Sequence, residues 1–139
     1  MTVMECVQTW LRSYSGLSGR LDVDFLDEEA DTYSVDTIPC EEVVKRYADG
    51  SVVKQFQFAV SSRRFYDQNI AQNIDNLKFF EDLGAWVEAR AKARKLPVMD
   101  GGKTAQKIVV TSTAYPFIIS EDGKARYQMQ MRLEYYKEA

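Results

Sequence analysis

The amino-acid sequence predicts an α+β fold: a mainly antiparallel sheet of hairpins, with an N-terminal helix and one long central helix packed on one face. Three observations carry that expectation. Tyr127, Met129, Met131, Leu133 and Tyr135 alternate with polar residues, the period of a half-buried strand. Asp49-Gly50 and Asp122-Gly123 are turn signals between strand-like arms. A proline-free run from about Tyr66 to Arg94 carries apolar residues at helical spacing, and one long helix among hairpins buries its stripe against a sheet face. The 139 residues, 45% hydrophobic and 28% charged, suit a single α+β domain over 1–139 with its own core.

From the amino terminus, Val3, Val7, Trp10, Leu11 and Tyr14 recur at helical spacing. Thr2, with Glu5 three residues later, has the form of a capping box, so a helix over about 2–14 is expected. Gly16 and Gly19 follow, where a chain leaving a helix commonly needs positive φ. Leu21 to Asp31 is densely acidic, and its alternating start suits a short strand. Thr32 to Ile38 reads as extended, with Tyr33, Val35 and Thr37 on one face and Pro39 ending it. Glu42–Tyr47 and Ser51–Ser61 form a hairpin about Ala48-Asp49-Gly50, and Val52, Phe56, Phe58 and Val60 share the face to be buried.

The long helix is expected to bury Ile70, Ile74, Leu77, Phe80, Trp86, Val87 and Ala91. Gly84 sits within it, where glycine costs about 1 kcal/mol against alanine and favours a bend, a break or a close approach. Pro97–Lys107, with a proline, a glycine pair and little apolar content, is expected to be a mobile loop. Ile108–Ile119 is rich in β-branched and aromatic residues, and Pro116 marks an edge or a bulge. Glu121-Asp122-Gly123 then turns the chain into its last strand.

Chemistry enters mostly by elimination. The chain has no histidine, so Ser-His-Asp, Cys-His and histidine-metal constellations have no members in it. Cys6 and Cys40 stand far apart, in neither a metal clip nor a redox motif; buried free thiols in a reducing compartment are expected. Asp22, Asp24, Asp27, Glu28, Glu29 and Asp31 are of the type a hard cation takes, but Leu26 and Asp27 stand where an EF-hand loop needs a ligand and a glycine. A solvated acidic loop is the expectation. Gly101-Gly102-Lys103-Thr104 looks like the end of a phosphate-binding loop, yet Pro97 occupies the place of its first glycine and the string follows a helix.

A net charge of -3 gives no footprint for polyanion binding, and Arg63-Arg64 and Arg90–Lys95 lack interleaved aromatics for stacking bases. The second cluster suits the carboxyl end of a helix. No stretch approaches the roughly 20 apolar residues of a membrane helix, and the first residues lack a signal-peptide pattern. No catalytic, cofactor-binding or metal residue is assigned; the expectation is a non-enzymatic protein without cofactor, membrane or sequence-specific nucleic acid. The remaining candidates are partner contacts. The outer face of the last strand carries Arg126, Gln128, Gln130, Arg132, Glu134 and Tyr136, and arginine and tyrosine are enriched where proteins meet. An ordinary solvent face is the alternative. Asp100, Gly101, Gly102 and Lys103 form a second candidate docking element.

The carboxyl-terminal block, with Tyr115-Pro116-Phe117, a short acidic turn and Ala125-Arg126-Tyr127-Gln128 running into Leu133-Glu134-Tyr135-Tyr136, resembles the closing hairpin of a phage family. These are the minor capsid and tail terminator (head-tail joining) proteins of long-tailed bacteriophages and prophages of Gram-positive bacteria. The upstream strand through Gln55-Phe56-Gln57-Phe58 and the long helix ending near Trp86 resemble it too, so the likeness covers most of the chain after residue 50. It implies a structural virion assembly subunit, a homo-oligomer forming a hexameric ring at the head-proximal end of the tail tube. It also implies contacts with tube and head-connector proteins, and a place in the virion tail and, during assembly, the host cytoplasm. Two other readings stay open: a small-ligand-binding domain and a monomeric regulatory adaptor, both without a phage role.

Overall fold

Two fourteen-residue strands organise the molecule: β4 (Val52–Phe65) and β7 (Lys124–Lys137) pair antiparallel from Val52 opposite Lys137 to Phe65 opposite Lys124. The structure is a computed structural model that describes residues 1–17, 20–66, 70–119 and 122–139. Before β4 come α1 (Val3–Leu11), a 3-10 turn (Ser15–Leu17), β1 (Asp22–Val23), β2 (Thr32–Ile38) and β3 (Val43–Arg46). Between β4 and β7 lie α2 (Ile70–Lys92), β5 (Lys103–Val110) and β6 (Tyr115–Ile119). The strands form one sheet in the order β1-β2-β4-β7-β5, with β3 also beside β4 and β6 also beside β7. The β1–β2 pair is parallel and the others are antiparallel. The α+β architecture expected from the sequence is therefore the one adopted.

One face of the sheet is the core. Val35 of β2, Phe58 and Val60 of β4, Ile108 of β5 and the odd-numbered residues of β7 pack against Val7 and Leu11 of α1 and Phe80, Leu83 and Val87 of α2. Every second residue of β7 from Ala125 to Tyr135 is buried, as its alternation requires. The expected capping box is present: Thr2 Oγ1 accepts from the Glu5 N–H at 3.1 Å, and Glu5 Oε1 accepts from the Thr2 N–H at 3.3 Å. The helix it starts ends at Leu11, short of the expected 14, where the chain tightens into the 3-10 turn. Gly19 and Glu121 lie outside the described residues.

The stripe expected on α2 is rotated. Phe80 and Val87 are buried, and Trp86 and Ala91 are half-buried against the core, but Ile70, Ile74 and Leu77 are 75%, 58% and 41% exposed. The buried line is Asn76, Phe80, Leu83 and Val87. Asn76 explains the rotation. Its Nδ2 donates to the Phe65 carbonyl at 2.7 Å and to the Tyr127 hydroxyl at 3.3 Å, and its Oδ1 accepts from Gln72 Nε2 at 3.0 Å. A buried amide satisfied at both ends costs little to bury, and it fixes which way the helix faces. The helix runs unbroken through Gly84, where an added Cβ would lie 3.8 Å from Met129 Sδ.

Pro97–Lys107 is not a loop throughout. Lys103 onward belongs to β5, because Thr104 and Ala105 pair with Tyr136 and Tyr135 of β7 and so gain a partner that weak local propensity did not foretell. Cys6 is buried, but Cys40 is exposed beyond the end of β2, which corrects the expectation of two buried thiols; both are free.

Candidate functional site

The six residues expected on the outer face of β7 do lie opposite the helices, each half-buried. Arg126 lies across that outer face. Its guanidinium donates to Asp36 Oδ2 at 2.8 Å and lies over the Phe117 ring at 5.3 Å. The Ser34 and Ser61 hydroxyls donate to the same Asp36 carboxylate, each at 2.6 Å. Three donors from three strands meet on one carboxylate, so this cluster pins β2, β4 and β7 together. Arg132 stands opposite Gln57, and Gln128 and Gln130 stand opposite Ser61 and Ala59, a layer of long side chains over small ones.

Asp100-Gly101-Gly102-Lys103 is a β-turn, closed by the Lys103 N–H on the Asp100 carbonyl at 3.3 Å. Both central residues have positive φ, +65° and +74°, which accounts for the glycine pair. The Gly102 carbonyl accepts from the Glu138 N–H at 3.0 Å, anchoring the turn to the end of β7. It therefore sits beside Tyr136 and about 33 Å along the strand from Arg126, so the two sets of candidate contacts do not form one patch.

The other motifs have structural uses. Asp24 Oδ1 accepts from the Thr37 N–H at 2.7 Å, Asp22 pairs with Arg20 at 2.8 Å, and Asp31 approaches Arg64 at 3.6 Å. Arg63 Nε donates to the Asp27 carbonyl at 2.7 Å. Among the described residues no three His, Cys, Asp or Glu side chains cluster as metal ligands, and no helix is long and apolar enough to cross a membrane. Burial pushes the Cys6 thiol and the Tyr135 hydroxyl up, so both stay protonated near neutral pH.

What sequence reasoning missed lies on the far edge of β7. All five residues of β6, Tyr115-Pro116-Phe117-Ile118-Ile119, are exposed, and β6 is the one described strand without a charged residue. A register shift between Pro116 and Ile118 supplies the expected bulge. Leu77 of α2 and Ala114, just before β6, line one groove, and Ile70, Ile74 and Leu77 are exposed on the helix. Gly84, Ala85, Val110 and Met129 also line this apolar groove, of about 390 Å³. Glu81 and Glu88 stand on its α2 side.

No protein-family model matches this chain, and no curated protein matches it.

Proposed function

We propose that this protein is a structural, non-enzymatic subunit that self-associates through the β6 edge and the adjoining face of α2, in the manner of a phage tail terminator ring. One observation carries the reading: an edge strand with no charge, exposed on both faces, in a molecule that also leaves three apolar residues of α2 outward. Free strand edges template pairing with other chains, and monomeric proteins blunt them by shortness or charge. The remaining edges of this sheet are blunted that way. The β1 strand has two residues, β3 carries Lys45 and Arg46, and β5 carries Lys103 and Lys107. Leu77 of α2 and Ala114, just before β6, line one groove, so a partner seated there would meet both elements. The resemblance of the carboxyl-terminal hairpin supplies the biological setting, a ring of about six copies on the head-proximal end of a tail tube. A heterologous contact of one patch with another would close that ring.

Light scattering across a concentration series, alone and with tail tubes encoded by the same genome, tests this. The expected result is one discrete oligomer, free or tube-bound. A single 16.0 kDa species at every concentration, with and without tubes, returns the chain to the class of monomeric adaptors.

A further inference from the structure

Building on that self-assembly reading, we infer that the groove between α2 and the β5–β6 edge receives the Arg94–Met99 segment of a second copy, with Val98 as the inserted residue. The segment is a preformed knob. Pro97 is buried, Leu96 and Met99 are half-buried against the core, and Trp10 Nε1 donates to the Lys95 carbonyl at 2.9 Å. Arg94, at φ 60°, holds the Gln106 carbonyl with its guanidinium at 3.3 Å. Between these anchors Val98 is 85% exposed, more than any other large apolar side chain described. A rigid apolar projection loses little entropy on docking, which is what makes such anchors effective.

The groove matches it in shape and charge. Its floor is built from small residues, Gly84, Ala85 and Ala114, over the buried Met129, and its volume of about 390 Å³ leaves room for a valine with its neighbouring backbone. Glu81 and Glu88 are exposed at its side; of the α2 cations, Lys78 and Arg90 are otherwise engaged and Lys92 stands a turn beyond Glu88. Lys78 pairs with Asp82 at 3.1 Å, and Arg90 lies over the Trp86 ring at 5.2 Å. The knob carries Lys95 three residues before Val98 and Arg94 four before it, the latter also holding the Gln106 carbonyl. An acidic rim facing a basic knob fixes orientation and speeds encounter. Because knob and groove are different patches of the same chain, the contact is heterologous and propagates from copy to copy.

The test uses the full chain carrying Cys40→Ser, which removes the exposed native thiol. Ala85→Cys and Val98→Cys variants, both reduced, are exposed to the oxidant each alone and as an equal mixture. A covalent dimer formed in the mixture, and in neither variant alone, is the expected result. In parallel, Glu81→Lys with Glu88→Lys should weaken association about tenfold, as should Arg94→Glu with Lys95→Glu, and mixing the two reversed chains should restore it. Circular dichroism verifies that each variant is folded. Oligomers that form with parental affinity, yet give no link between the two variants and no effect of reversal, overturn the knob-in-groove contact and leave self-assembly standing. A chain that stays monomeric with and without tail tubes overturns both.

Discussion

Arg126 and Arg132 occupy the same face of β7 six residues apart, yet they differ in what they hold. The Arg126 guanidinium neutralises Asp36, whose carboxylate also gathers Ser34 and Ser61. Arg126→Glu would set two carboxylates together and remove a charge-assisted hydrogen bond, so urea unfolding should show a loss of about 1–3 kcal/mol. Arg132, half-buried with Gln57 opposite, neutralises no such carboxylate, so Arg132→Glu should cost less than Arg126→Glu. Equal losses would mean the Asp36 cluster is not the pin it is taken for. Alternation in the sequence placed both arginines on the outer face, and that was legible. The carboxylate waiting for Arg126 ninety residues upstream was not, because a strand pattern carries a face and no partner. Asp36 entered the sequence reading only as a member of an extended segment.

At the scale of elements, the strands were read well where one face is buried and poorly where pairing alone decides. Every other residue of β7 is core, so period two is written into it. The start of β5 has no such signal; Lys103–Lys107 becomes a strand because β7 offers an unpaired edge there. The α2 helix was placed but misrotated, since Ile70, Ile74 and Leu77 outweigh Asn76 on any hydrophobic count while Asn76 has the buried partners. Gly84 belongs to the same element and gives its test. An added Cβ would meet Met129 Sδ at an ordinary 3.8 Å, and the backbone is helical, so nothing offsets the propensity gained. Gly84→Ala should raise stability by about 0.5–1 kcal/mol, seen as a higher thermal midpoint. A destabilised variant would show that the helix needs the glycine for a closer approach than these distances describe.

For the whole molecule, the question is why a chain with its core complete leaves Ile70, Ile74, Leu77, Phe117, Ile118 and Ile119 in water. Scattered apolar residues on a surface need no explanation, but these fall on just two elements and include the uncharged edge of the sheet. The core does not need them, since the buried side of α2 and all the inward positions of β7 are already filled. On the proposed self-assembly reading, their placement serves contact beyond the single chain. That assigns a distinct expectation to charge on β6. Ile118→Lys with Ile119→Lys puts two cations on exposed positions, so folding stability should move by no more than about 0.5 kcal/mol. Association should fall sharply, because a lysine on an edge opposes strand pairing across chains. Val44→Lys on β3, at a position 48% exposed and already beside Lys45, supplies the control and should leave association unchanged. Sedimentation of the three proteins at matched concentration separates the cases. If the β6 variant associates like its parent, or if Val44→Lys disrupts assembly equally, the contact surface lies elsewhere on the sheet.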